Sequence, residues 1–158
     1  SAFDAQIVDK GLDFIENHLV KLQNQDKLTA KDKETSTILE VVIEAIHRGI
    51  EFGKVDLYNS KMNEFILKDE KLIPPLICLE GLGSSAADSI VQARQKGDFI
   101  SIEDLTNRTS LSKTVIEKMK DHGTLTGLPE KNQLSLFGNS WKTVIFMIIF
   151  NMVNVEFF

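Results

Sequence analysis

The chain has 158 residues, 42% of them hydrophobic, which is enough for a real core in one domain or two small ones. Its net charge of −5 counts against a freestanding nucleic-acid binder, and its single cysteine, Cys78, excludes a disulfide within the chain. No signal-peptide pattern opens the sequence, and a start at Ser1 without Met leads us to expect a piece of a longer, cytoplasmic protein.

The acidity is uneven. Residues 1–80 carry 10 Lys/Arg against 15 Asp/Glu, residues 81–123 carry six of each, and residues 124–158 carry two of each. His18, His47 and His122 lack Cys or carboxylate partners at ligand spacing, so no metal site is read from the residues.

From Val8, apolar residues fall at 8, 12, 15, 19 and 22, one face of an amphipathic helix. Gly11 places its regular part from Leu12-Asp13 onward. Gln23 to Ala30, polar apart from Leu28, reads as a connector, and Thr29 with Asp32 three residues on reads as the next N-cap. Ile38, Leu39, Val42, Ile43 and Ile46 then form a buried stripe. His47 and Arg48 fall in the last turn, where positive charge is favoured, and Gly49 suits the position after the helix. A catalytic His47 is the alternative to this helix-end role.

The period changes next. Val55 and Leu57 alternate with polar neighbours, and Phe65-Ile66-Leu67 and Leu72-Ile73 flank the turn Lys68-Asp69-Glu70-Lys71, a small β-hairpin ended by Pro74-Pro75. Only about one helical turn fits over Leu76–Leu79 before Gly81-Leu82-Gly83-Ser84-Ser85. Both glycines can take positive φ, Leu82 can plug into the core, and Ser85 with Asp88 reads as a capping box. Three readings compete here. A dinucleotide fingerprint needs a preceding buried strand, which Pro74-Pro75 opposes. An ordinary tight turn is the second. The third is a helix-hairpin-helix, whose free N–H groups at the helix start suit a phosphate oxygen; Glu80 stands where that motif usually carries Pro.

A helix from Ser85 to Lys96 stops at Gly97. Glu103-Asp104-Leu105 starts another, ending near Arg108, and Thr109 to Ser112 takes the place of the glycine turn. A helix from Lys113 to Lys120, with Val115, Ile116 and Met119 inward, closes at His122-Gly123. Helix, turn and helix thus occur twice. After Pro129, Glu130-Lys131-Asn132 is expected to stand off the body and lead into Gln133-Leu134-Ser135-Leu136-Phe137, a plausible docking peptide or else a terminal strand. The apolar run within Thr143–Val153 is too short to span a membrane and suits a buried strand or an adhesive appendage.

Many stretches, in order, resemble one family. They are Arg48-Gly49 to Phe52, Val55-Asp56-Leu57-Tyr58-Asn59-Ser60, Leu72-Ile73-Pro74-Pro75, Gly81-Leu82-Gly83 and Ile90-Val91-Gln92-Ala93-Arg94. Gly97-Asp98-Phe99, Glu103-Asp104-Leu105, Arg108, Ser112-Lys113-Thr114, His122-Gly123 and Leu128-Pro129 continue them, and Asn132 to Phe137 is similar to the bacterial sliding-clamp-binding peptide. From about Phe3 to Phe137 the chain resembles the C-terminal end of the Gram-positive-type replicative DNA polymerase III alpha subunit, the PolC type.

The resemblance implies a mainly α fold with a small β-hairpin. Residues 1–49 are a helical segment at the end of a fingers-like region, 50–75 a β-hairpin connector and 76–128 a tandem helix-hairpin-helix that binds duplex. Residues 129–137 are the clamp-binding peptide and 138–158 an apolar tail without counterpart in the family. It implies backbone contacts to primer–template DNA at Gly81, Leu82, Gly83, Ser84 and Ser85, helped by Arg94, Lys96, Arg108 and Lys113; Lys113→Glu is expected to weaken binding more than Lys118→Glu. Clamp contacts fall on Gln133, Leu134, Ser135, Leu136 and Phe137. Other replisome subunits are implied partners, and a membrane is not. The full polymerase, with its proofreading exonuclease, uses Mg2+ on carboxylates that we expect upstream, so this segment is expected to hold no cofactor and to be inactive alone. The alternatives are a tethering module that only binds the clamp, or a DNA-repair protein reusing the same hairpins.

Overall fold

The computed structural model describes residues 3–132 and 140–155. Its elements are α1 (Ala5–Val8), α2 (Leu12–Gln23), α3 (Ala30–His47), β1 (Glu51–Phe52), β2 (Ile66–Lys68) and β3 (Lys71–Ile73). A 3-10 turn (Leu76–Cys78) follows, then α4 (Ser84–Arg94), α5 (Ile102–Arg108), α6 (Lys113–His122) and α7 (Ser140–Val155). The mainly α class with a small sheet is as the residues predict.

Local chemistry fixes the helical ends. Gly11, at φ 91°, turns the chain from α1 into α2. Thr29 and Asp32 close a reciprocal capping box at the start of α3. At its other end Gly49 N–H donates to Ile46 O and Ile50 N–H to Ala45 O, the paired bonds of a Schellman stop. Gln23 Nε2 meets Glu40 Oε1 at 3.0 Å and His47 Nε2 lies 3.9 Å from Glu16 Oε1. These two cross-links run in opposite order along α2 and α3, so the helices are antiparallel. His47 is thus a helix-end residue beside a glutamate.

The hairpin forms where expected, with Asp69 (φ 50°) and Glu70 (φ 62°) as its two turn residues. One strand went unread. β1, two residues long, pairs parallel to β3 and gives the order β1-β3-β2. Two residues carry no alternation, so no period could reveal it. Val55 and Leu57 are buried, but in an irregular loop rather than a strand.

One continuous hydrophobic cluster runs from Phe3 to Leu125, with Ile15, Leu39, Leu76, Ile90, Leu105 and Met119 fully enclosed. The N-terminal helices, the connector and both hairpins therefore share a core. Of the two expectations for the terminal apolar run, a buried strand or an adhesive appendage, the strand is corrected: the run is α7, with Val144–Phe150 exposed. An unbroken apolar run has no alternation to separate strand from helix. Among the described residues no helix is long and apolar enough to cross a membrane.

Candidate nucleic-acid interface

The 3-10 turn packs Leu76 and Cys78 inward and leaves the chain extended at Leu79. Leu82 N–H donates to Leu79 O at 3.1 Å, and Gly81 takes φ +82° to make that tight turn. Leu82 is 4% exposed, the plug its position between the glycines requires. Gly83 departs from expectation. It is the N-cap of α4 at φ −76° and ψ 167°, a conformation open to any residue, and a Cβ there would meet nothing within 4 Å.

The capping box expected of Ser85 and Asp88 does not form. The helix begins at Ser84, which puts Ser85 inside the first turn. No side chain caps α4, and its first turn holds no acidic residue. The first N–H groups of a helix have no intrahelical acceptor, so this start presents bare donors and the positive end of the dipole to solvent. Every other helix start in the hairpin region is capped: Ser101 Oγ accepts from Asp104 N–H, and Ser112 Oγ from Val115 N–H.

The remaining sequence-predicted residues separate into two kinds. Lys96 and Lys113 are exposed and make no ion pair among the described residues, Lys113 as the first residue of α6. Arg94 and Arg108 are engaged inside the fold. Arg94 Nη1 donates to Leu57 O at 3.0 Å and Ser60 O at 2.8 Å, which ties α4 to the connector loop. Arg108 donates to the carbonyls of Ala93, Gly97 and Asp98 and to Asp104 Oδ2, while its guanidinium lies 4.6 Å above the Phe99 ring. It closes the C-terminal end of α4 from α5. A sequence shows such an arginine as a positive charge; only the fold shows the carbonyls it spends that charge on.

The same loop holds Asp56. Burial pushes its carboxyl up, but hydrogen bonds from Asn59 and Tyr58 with the nearby Lys68 outweigh that and hold it below the usual carboxylate range. The second turn is fixed to the first hairpin by Ser110 N–H donating to Ser89 Oγ at 3.1 Å. Glu80, beside the glycine turn, is ion-paired: its Oε1 lies 2.9 Å from Lys118 Nζ on α6. Lys118 is therefore tied to the turn of the first hairpin, a link no sequence spacing could show, since the pair joins different hairpins.

The segment after Pro129 also departs from expectation. Instead of standing clear, it lies along the start of α5: Ile102 N–H donates to Pro129 O at 2.8 Å and Glu103 N–H to Glu130 O at 3.0 Å. Asn132 N–H donates to Glu103 Oε2, and Asn132 Oδ1 accepts from Ser101 Oγ. Two bare donors of α5 thereby find acceptors. Gln133, Leu134, Ser135, Leu136 and Phe137 lie outside the described residues. Among the described residues no group of three or more His, Cys, Asp or Glu could hold a metal ion, so none fits the Mg2+ of a polymerase.

The helix-hairpin-helix motif family matches residues 49–134, more than half of the chain. The chain is 48% identical over 136 residues to the DNA polymerase III PolC-type of Caldanaerobacter subterraneus subsp. tengcongensis, covering 85% of the chain. It is 45% identical over 137 residues to that of Clostridium perfringens and 42% identical over 139 residues to that of Streptococcus mutans, covering 86% of the chain in each case. It spans 10% of the length of each of these polymerases.

Proposed function

The chain belongs to the helix-hairpin-helix family, and on that premise we propose that it is the duplex- and clamp-binding part of a bacterial, cytoplasmic PolC-type replicative DNA polymerase. The observation that carries the reading is the uncapped start of α4 behind Gly83. No side chain caps it, its first turn holds no carboxylate, and a Cβ on Gly83 would meet nothing within 4 Å. A phosphodiester oxygen can accept from the bare N–H donors of that start. Lys113, at the start of α6, and Lys96 supply charge near the same duplex. Arg94 and Arg108 act through the fold, by holding α4 and its neighbouring loops.

Backbone N–H donors carry no base information, so binding is expected to be independent of sequence. Few phosphates are neutralised, so the log–log salt slope is expected to be shallow, about −2 to −4. The metal-dependent chemistry belongs to carboxylates outside these residues, and the segment alone is expected to be inactive. Gln133, Leu134, Ser135, Leu136 and Phe137 are proposed to dock on the sliding clamp, with Gln133 offering paired amide hydrogen bonds and the three apolar residues filling pockets. Other replisome subunits are further partners expected of the whole polymerase.

Gly83→Val tests the duplex contact. The backbone at position 83 accepts a side chain without strain, so the variant is expected to fold, losing only the preference of the N-cap for Gly over Val, about 1 kcal/mol or less. Its branched side chain stands in the phosphate's path, and duplex affinity by fluorescence anisotropy falls about tenfold or more, on the order of 1.4 kcal/mol. A folded variant binding as tightly as the parent would place the contact elsewhere.

A further inference from the structure

Glu80 stands at the lip of the glycine turn and carries its negative charge toward two cations. Its Oε1 is 2.9 Å from Lys118 Nζ, and the same Nζ lies 3.9 Å from the point where a Cβ on Gly81 would sit. The Lys118 ammonium is therefore against the turn itself. Lys31, from the first turn of α3, lines the same open cleft of about 480 Å³ as Glu80, Gly81 and Gly83. A hydrogen bond from Lys118, with its charge and a smaller contribution from Lys31, holds the Glu80 carboxyl below its ordinary range. The Glu80 side chain is 60% exposed and that of Lys118 30% exposed. A pair this open to solvent is held weakly and exchanges easily.

An anion thus already lines the same cleft as Gly83, the residue that precedes the uncapped helix start. We propose that Glu80 is a built-in competitor for the duplex: it holds Lys118 in the free protein, and an arriving phosphodiester displaces it, making Lys118 a further phosphate contact of the Gly81–Ser85 turn. This rests on the duplex reading given above. The exchange replaces one singly charged oxygen anion by another, so Lys118 never goes unpaired. The gain comes from the counterions the phosphate sheds, which makes it largest at low salt.

The test is a cycle on the full chain with a short blunt-ended DNA duplex, read by anisotropy across a salt series. Lys118→Met keeps the packed stem and removes the charge, and it is expected to weaken binding and make the log–log salt slope shallower by about one. Glu80→Gln is expected to tighten binding about two- to fivefold, most at low salt, while Glu117→Gln, on the same helix and paired to Lys120, leaves it unchanged. In the K118M background, E80Q is expected to bring no tightening. Equal tightening with and without Lys118, or the same gain from E117Q, would mean that only overall charge is being read and would overturn the proposal. Gly83→Val separates the two readings. If it leaves affinity intact, the duplex site itself is misplaced; if it abolishes binding while the cycle shows no coupling, only the competitor role fails.

Discussion

His122 ends α6 with 6% exposure, and its Nε2 is buried without a hydrogen-bond partner among the described residues. Burial lowers its pKa from the ordinary 6.5, with Asp9 and Asp4 opposing and Lys54 adding to the shift. The folded state therefore prefers the neutral ring, and the unfolded chain takes up the proton first as pH falls. Stability is fully present above about pH 6.5 and declines below it. The expected outcome is a urea midpoint that drops between neutral pH and the carboxylate range, with the drop flattened in His122→Phe; a midpoint independent of pH above that range would refute it. The sequence could place His122 at a helix end but not its burial, because the charged groups that act on it, Asp9, Lys54 and Asp4, lie far from it along the chain. Gly81 and Gly83 teach the same lesson. Their spacing made the turn legible, yet only Gly81 uses positive φ, while Gly83 has ordinary backbone angles and open space where a Cβ would sit.

At the scale of elements, both hairpins, the capping box of Thr29 and the Schellman stop at Gly49 were readable, because each is local chemistry within a few residues. What joins the elements was not. Arg108 binds the carbonyls of Ala93, Gly97 and Asp98 from a helix of its own, and its planar fork reaches several acceptors at once. Arg108→Lys keeps the charge but loses the fork. It is expected to lower unfolding free energy by about 1–3 kcal/mol while leaving the salt slope of duplex binding unchanged. Arg108→Met, which removes the charge, is likewise expected to leave that slope unchanged; a slope shallower by about one would instead return Arg108 to the phosphates. The two-residue β1 and the helical state of α7 escaped for a different reason, the lack of any period to read.

At the scale of the whole molecule, the exposed apolar surface of α7 is the feature with no precedent in the matched family region, which ends at residue 134. Exposed apolar surface of this kind promotes association. A chain ending after Phe137 is therefore expected to lose concentration-dependent self-association in sedimentation, and to bind the sliding clamp as well as the full chain or better. Leu136→Ala with Phe137→Ala in that shortened chain is expected to abolish clamp binding, since such peptides concentrate affinity in a few anchors; a double variant that still binds would move the clamp contact elsewhere. The hold on Pro129 to Asn132 bears on how any such partner is carried. Asn132 is fastened to the start of α5, and Gln133 follows within one Cα step of about 3.8 Å. Under the clamp reading proposed above, whatever grips the chain from Gln133 onward would be joined directly to the start of α5, and through the Arg108 hydrogen bonds to the C-terminal end of α4.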